Sequence, residues 1–362
     1  MKRLFYKVAS GQWPVASGQW SVFSVQCSKS THYPLPTIHF FFFLIFPFLF
    51  LLSTSCEVEF SPNAKYVETP VVYCVLDQDD DTNWVRVEKC FLEEGSIYDY
   101  GSQSQLYTYP QGTLQVTLIA YRNGQRVATI NLADTLCVRD EGNFDSSLQP
   151  LFFTATPLDT TCRYKLEVRR RANDSLIAST DSIPLILQNN SNLITTPANN
   201  QRFRFVNNVC KIAWNPLDNA RRYQPMVRFF YGEDDDTLHL DLYCNSVSHG
   251  TLATEYALPS FLNSVKEALK DDPNPKRYLE FVEIYLTACD ENLNVYMNSV
   301  NSGTNLTQAT DTYTNIRGGV GVFAARRTHL HKYLLSDNSM NPIHTSAPGL
   351  RAYLRELNIG FN

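Results

Sequence analysis

The carboxylates Asp77, Asp79 and Asp81, with Glu88 at the twelfth place counted from Asp77, alternate like the ligands of a calcium loop. That loop needs glycine at its sixth place for the sharp turn around the ion, and Thr82 stands there. The flanks Val71–Leu76 and Trp84–Leu92 also read as strands, so an acidic hairpin turn is expected instead. Glu233-Asp234-Asp235-Asp236 reads as a second such turn. His329-x-His331 places two imidazoles on one strand face, but no carboxylate or third ligand lies near in sequence, and two exposed histidines beside Arg326 and Arg327 are expected. No metal and no cofactor is expected. Gly318-Gly319-Val320-Gly321 lacks the lysine and the strand–loop–helix setting of a phosphate loop; its glycines suit a tight bend or a close backbone approach. Neither Gly-x-Ser-x-Gly nor His-Glu-x-x-His occurs, and no catalytic residue is assigned. The paired acids of glycoside hydrolysis are spaced in three dimensions rather than along the chain, which keeps a cell-surface glycan-processing enzyme as the alternative reading.

The one covalent-chemistry residue that spacing singles out is Cys56. It follows an apolar run, Phe40–Leu52, and the small polar residues Ser53-Thr54-Ser55. The run is shorter than the about 20 residues of a membrane-spanning helix and is broken by Pro47. A short apolar core followed by small side chains is the pattern of a signal peptide. Ser53-Thr54-Ser55-Cys56 resembles a bacterial lipobox, in which the cysteine becomes the acylated N-terminus; Leu52 sits one place further back than the usual leucine. The expectation is a lipid anchor on Cys56 that holds the chain to a membrane.

Ahead of the run, Val8-Ala9-Ser10-Gly11-Gln12-Trp13-Pro14 recurs nearly unchanged as Val15-Ala16-Ser17-Gly18-Gln19-Trp20-Ser21. Two copies without apolar periodicity cannot stack into a solenoid. So long a leader is unusual, and translation is expected to start downstream of the repeat, near Lys29.

All the basic residues before Cys56 (Lys2, Arg3, Lys7, Lys29) are lost on cleavage, which takes the net charge from −5 to about −9. An acidic chain lacks the basic stripe that nucleic acid requires. The remaining cysteines, Cys74, Cys90, Cys137, Cys162, Cys210, Cys244 and Cys289, form no C-x-x-C pair and lie mostly in apolar strand-like runs. They are expected as mostly reduced core residues, with room for one or two disulfides.

Residues 56–65 read as a polar tether. From Tyr66 the pattern has period two. Leu114, Val116, Leu118 and Ala120 alternate, Asn123-Gly124 supplies a hairpin turn, and Val127–Leu132 returns. Tyr164, Leu166 and Val168 oppose Arg163, Lys165, Glu167 and Arg169, as in a half-solvated antiparallel strand. Many short strands with turns between them predict a first sandwich over 66–187, with the polar loop 188–192 as its boundary. A second stretch, 193–362, adds strands at Val209–Trp214, Met226–Tyr231, Leu238–Tyr243 and Tyr278–Cys289. It also carries a helix with Phe261, Leu262, Val265, Ala268 and Leu269 on one face, a helical turn at Glu291–Met297 and a closing strand at the end. The fold class expected is mainly β: two consecutive antiparallel β-sandwich domains, immunoglobulin- or fibronectin-like, with one appended helix.

Two resemblances bear on function. Val209–Pro216 with Asn219–Tyr223 resembles the early strands of fibronectin type III modules, which implies that Trp214 and Tyr223 pack across a sandwich. Pro70–Asp77, Trp84–Leu92 and Tyr313-Thr314-Asn315-Ile316-Arg317-Gly318-Gly319-Val320-Gly321-Val322-Phe323 resemble an uncharacterised outer-membrane lipoprotein family of Bacteroidetes-type bacteria. Ala324-Ala325-Arg326 stands where that family often has serines. The resemblance implies a lipid-anchored outer-membrane protein at the cell surface or periplasmic face, and it supplies no catalytic residue. Asp134-Thr135-Leu136, Asp159-Thr160-Thr161, Asp174-Ser175-Leu176, Asp181-Ser182-Ile183 and Asp236-Thr237-Leu238 resemble the O-glycosylation sequon of the same bacteria. The function expected is a cell-envelope binding or scaffold protein with a glycan or protein partner, its binding residues unassigned.

Overall fold

The alternation read from the sequence becomes strands almost throughout. The computed structural model describes residues 66–93, 97–139, 145–146, 148–198, 203–233, 235–270, 276–302, 313–334 and 350–361. All of them fall in one compact unit, Asn63–Asn362. The repeat, the apolar run Phe40–Leu52, Cys56 and the tether lie outside the described residues.

The first stretch contributes β1 (Pro70–Asp77), β2 (Asn83–Lys89), β3 (Leu114–Arg122), β4 (Gln125–Asn131), β5 (Ala133–Val138), β6 (Leu148–Thr154), β7 (Arg163–Arg170), β8 (Leu176–Thr180) and β9 (Ile183–Pro184). The second contributes β10 (Ile194–Thr196), β11 (Val209–Trp214), β12 (Arg222–Glu233), β13 (Asp236–Tyr243), β14 (Val247–Ser248), β15 (Ala253–Ala257), β16 (Arg277–Cys289), β17 (Ile316–Arg317) and β18 (Val320–Leu334). The helices are few, the longer ones being Leu258–Leu269 and Glu291–Ser302. The chain is thus mainly β, as its period-two patterning requires.

The two stretches do not close separate sheets. A nine-stranded sheet runs β13-β12-β16-β18-β1-β2-β6-β5, with β14 beside β12. Its centre is the parallel pair β1–β18, from Val71 opposite Val320 to Asp77 opposite Arg326. A six-stranded sheet runs β17-β8-β7-β3-β4, with β9 beside β7, and a three-stranded sheet runs β10-β11-β15. The late strand β17 therefore completes a sheet built otherwise from the first stretch. The expected boundary at 188–192 separates two stretches whose strands share these sheets. A parallel neighbour needs a long crossover and leaves no local signature, so nothing in the sequence near β1 announces β18.

Local expectations fare well. Asn123 and Gly124 take φ of 52° and 78° between β3 and β4, as the tight primed turn requires. The helix Leu258–Leu269 starts with Pro259 in its first turn and buries Leu258, Phe261, Val265 and Leu269. The helix at Glu291 runs on to Ser302, longer than the expected turn; Asp290 Oδ1 accepts from Leu293 N at 2.9 Å and caps its start. The tail is different. The chain from Arg326 continues β18, whose polar residues hide its alternation, and the end is a helix, Leu350–Glu356, rather than a closing strand. After it, Phe361 makes a single parallel bridge to Arg277. Arg277 is itself buried, and its Nε donates to Glu233 at 2.7 Å.

The glycine-rich run explains itself in this topology. Gly318 has φ +79° and a Cβ there would stand 2.7 Å from the Ile177 carbonyl oxygen; at Gly321, φ is +119° and the Val72 oxygen would be 2.0 Å away. The turn into β18 can pass against β8 and β1 only without side chains. Asn315 secures it, its Nδ2 donating to Phe323 O at 2.7 Å and its Oδ1 accepting from Phe323 N at 2.9 Å.

Candidate functional site

The acidic turn is a joint rather than an ion site. Asp77 ends β1, 2 % exposed, and faces Arg326 across the parallel ladder. Arg326 Nε donates to Asp77 Oδ2 at 3.0 Å and Nη2 to Asp80 Oδ2 at 3.1 Å. Arg327 holds both oxygens of Asp79, at 2.9 and 3.3 Å. Asn83 closes the turn from within, accepting from Asp77 N at 2.7 Å and donating to Asp77 O at 3.1 Å. Burial pushes the Asp77 carboxyl up to about 6, against the pull of the Asp79 amide and Arg326. Guanidinium groups thus take the oxygens that a cation would need.

The two histidines are half-buried rather than exposed. The antiparallel register of β16 and β18 sets His331 opposite Ile284 and His329 opposite Leu286, both core residues. Burial lowers the His329 pKa, and the neighbouring His331 and Arg327 charges lower it further. His331 packs on Tyr333, 4.5 Å between ring centroids. Among the described residues no group of three or more histidine, cysteine or carboxylate side chains comes together as a metal site.

The other face of the nine-stranded sheet carries transverse rungs. His239, Phe230, Phe281 and Lys332 stand in a row across β13, β12, β16 and β18. Ring centroids are 5.5 Å apart for His239–Phe230 and 4.4 Å for Phe230–Phe281, and Lys332 Nζ lies 3.2 Å over the Phe281 centroid. Beside it Arg228 forks onto Asp241 at 2.6 and 2.8 Å and lies over the Tyr285 ring. The ring faces of Phe230 and Phe281 are covered by each other and by their neighbours, so these rungs tie the strands together. Tyr278 leans over Gly232, where any side chain would meet its ring.

The candidate site is a groove of about 340 Å³ at one end of the six-stranded sheet. The half-solvated strand β7 places Arg163 and Lys165 there, β8 and its continuation bring Ser179, Asp181 and Ser182, and β17 brings Arg317. Alternation fixes the orientation: Tyr164, Leu166 and Val168 are buried, so Arg163, Lys165, Glu167 and Arg169 face out. Lys165 Nζ is 2.7 Å from Glu167, which Arg169 shares at 3.3 Å. These neighbours hold the Glu167 carboxyl below its ordinary range despite its partial burial. Arg317 Nη2 lies 2.6 and 2.9 Å from the two oxygens of Asp181, but both side chains are more than two-thirds exposed. Arg163 donates to the Ser182 carbonyl and hydroxyl and has no carboxylate partner among the described residues. The groove is therefore cationic and rimmed with hydroxyls, in a chain whose net charge is −5.

A second depression, about 360 Å³, lies beside the three-stranded sheet and is lined by Arg204, Val206, Val209, Lys211 and Glu255 among others. Lys211 and Glu255 are opposite one another in the β11–β15 register, so its charges are mixed.

Spacing along the sequence singles out no binding residue. Arg163 and Lys165 are legible as a solvated strand face, but Arg317 comes from 136 residues beyond its partner Asp181. The seven cysteines 74, 90, 137, 162, 210, 244 and 289 are all unbonded; five are buried, and Cys90 and Cys137 are half-buried. Burial pushes the Cys210 and Cys289 thiols up to about 12. Of the triplets that resemble glycosylation sequons, those at Asp159 and Asp174 sit in turns with exposed aspartates. The chain matches no protein-family model and no curated protein.

Proposed function

We propose that this chain is a lipid-anchored binding or scaffold protein of the cell envelope, held in the outer membrane through Cys56, with its partner site on the β-rich unit. The observation that carries the reading is the cationic groove, assembled from β7, β8 and β17 on a solvent-facing sheet surface. Such a site, formed by side chains on paired strands, is rigid and suited to recognition. The anchor part rests on the apolar run that ends at Ser53-Thr54-Ser55-Cys56.

The architecture that accompanies this proposal is a pair of sandwich-like packings sharing the nine-stranded sheet. In its support, Trp214 on β11 of the three-stranded sheet packs on Tyr223 on β12 of the nine-stranded sheet, 5.4 Å between centroids. Tyr223 OH also accepts from Leu217 N at 3.0 Å. Val72, Cys74, Val85 and Val87 of the nine-stranded sheet belong to the same buried cluster as Val116, Leu118 and Leu166 of the six-stranded one.

Palmitate labelling and detergent-phase partitioning of the wild type beside Cys56→Ser test the anchor. One acyl chain holds a protein only marginally, and a doubly acylated cysteine holds it stably. The wild type is expected to take label and enter the detergent phase, and the variant to do neither. A wild type without label overturns the reading.

A further inference from the structure

Resting on the reading of this chain as a binding protein, we infer that the groove between β7, β8 and β17 takes an acidic saccharide, a sugar chain bearing carboxylate, sulfate or phosphate ester groups. Three cations from two strands meet there; Lys165 is tied to Glu167, but the native partners of the two arginines leave capacity. Among the described residues Arg163 is bound only to Ser182, and the Arg317–Asp181 pair is so solvated that an incoming oxyanion can replace the carboxylate with little loss. Guanidinium groups present paired N–H donors that match such oxyanions in a fork. Among the described residues Asp181 is the one carboxylate lining the groove, and it can accept from sugar hydroxyls once Arg317 turns away. Ser179, Ser182 and Tyr121 add hydroxyls that both donate and accept.

A saccharide fits better than an acidic peptide because of where the groove lies. A peptide docks most readily along an unpaired strand edge, where its amides find partners. Here β7 is paired on one side with β3 and on the other with β8 and β9, so its backbone groups are already used, and the edge strand at the groove, β17, is only two residues long, too short to pair with an extended peptide. Recognition must come from side-chain charge and hydroxyls, the complement of a ligand made of hydroxyls and anions.

The test uses the full chain in detergent, at low and at physiological salt, with dextran sulfate, polygalacturonate, neutral dextran, polyglutamate and inorganic sulfate as probes. Binding is followed by calorimetry or affinity electrophoresis. The two acidic polysaccharides are expected to bind and neutral dextran not to. Salt should weaken the binding, since the site is exposed. Arg163→Gln and Arg317→Gln should each weaken it about fivefold, the scale of one solvated charge contact. Arg86→Gln removes the same charge from the other long sheet and should leave binding unchanged. The inference is overturned if neither acidic polysaccharide binds, or if Arg86→Gln weakens binding as much as Arg163→Gln. It is equally overturned if inorganic sulfate saturates the site at the same concentration of anionic groups, or if polyglutamate binds as well with the same sensitivity to Arg163. These outcomes need no lipid, so they are separable from a failure of palmitate labelling.

Discussion

Asp77 and Arg326, 249 residues apart in the chain, are opposite neighbours in the one parallel strand pair of the nine-stranded sheet and are joined by an ion pair of 3.0 Å. The pair sits where strands of the early stretch meet strands of the late one. Asp77 is almost fully buried, while Arg326 keeps about a third of its side chain in solvent and reaches on to Asp80. Removing Arg326 leaves a buried carboxylate without its partner, so Arg326→Ala is expected to lose about 3 kcal/mol, the scale of breaking a buried pair. Arg327→Ala opens only the more exposed contact to Asp79 and should lose about 1 kcal/mol or less. Urea unfolding of the two variants checks the difference; equal losses would show that the pair at Asp77 is not the anchor of the joint.

The same carboxyl makes stability depend on pH. Its folded-state value of about 6 lies above the roughly 3.9 of an unfolded aspartate, so the folded state holds the proton more tightly between those values. Stability contributed by Asp77 is present below about pH 4 and is lost as pH rises to about 6, a change of about 2–3 kcal/mol. The half-buried His329, with its lowered pKa, acts in the opposite sense as pH falls. The measurement is therefore the difference between wild type and Asp77→Asn across this window. That difference should change by the stated amount between pH 4 and 6 and stay level above 7.

Gly321→Ala should be severely destabilising, by more than about 3 kcal/mol, since it combines a strained φ with a clash against the β1 backbone. Gly112→Ala has a smaller positive φ, +78° against +119°, and open space around it, and should lose about 1 kcal/mol. Thermal denaturation of the two side by side measures what the close approach and the larger φ at Gly321 add together. Similar losses would refute the account of the Gly-rich turn.

Calcium should do nothing to the acidic turn. Asp77, Asp79 and Asp80 are already held by Arg326 and Arg327, and the loop lacks the glycine a calcium loop requires. Millimolar calcium is expected to leave the Tm unchanged, and adding a chelator to do the same. A rise in Tm with calcium that Asp79→Asn abolishes would contradict this.

Under native conditions an alkylating reagent should modify Cys90 and Cys137 before Cys74, Cys162, Cys210, Cys244 and Cys289. The latter five are buried away from the reagent, which decides the order; burial also raises the thiols of Cys74, Cys210, Cys244 and Cys289, and that of Cys90 in the same direction, so Cys137 should react first of all. Mass spectrometry of timed digests reads the order directly. Early labelling of Cys74, between two paired strands, would mean that β1 is not held as described.

What the sequence determined by itself is everything encoded within a few residues. Alternation around Leu114–Ala120 and Tyr164–Val168 says which side chains face inward, Asn123-Gly124 sets a turn, and Phe261, Val265 and Leu269 mark a helix face, because each rule acts over one turn or one pleat. Which strands become neighbours beyond such a hairpin was decided only by tertiary structure. A period of two fixes the buried face of β1 and of β18 but carries no record of the other strand, and parallel pairing across most of the chain gives no turn to read. The same holds for the groove. Arg163 and Lys165 were visible as an outward strand face, yet they became a site only when β17 laid Arg317 beside β8, because convergence of charge depends on distances that folding sets and the order of residues does not.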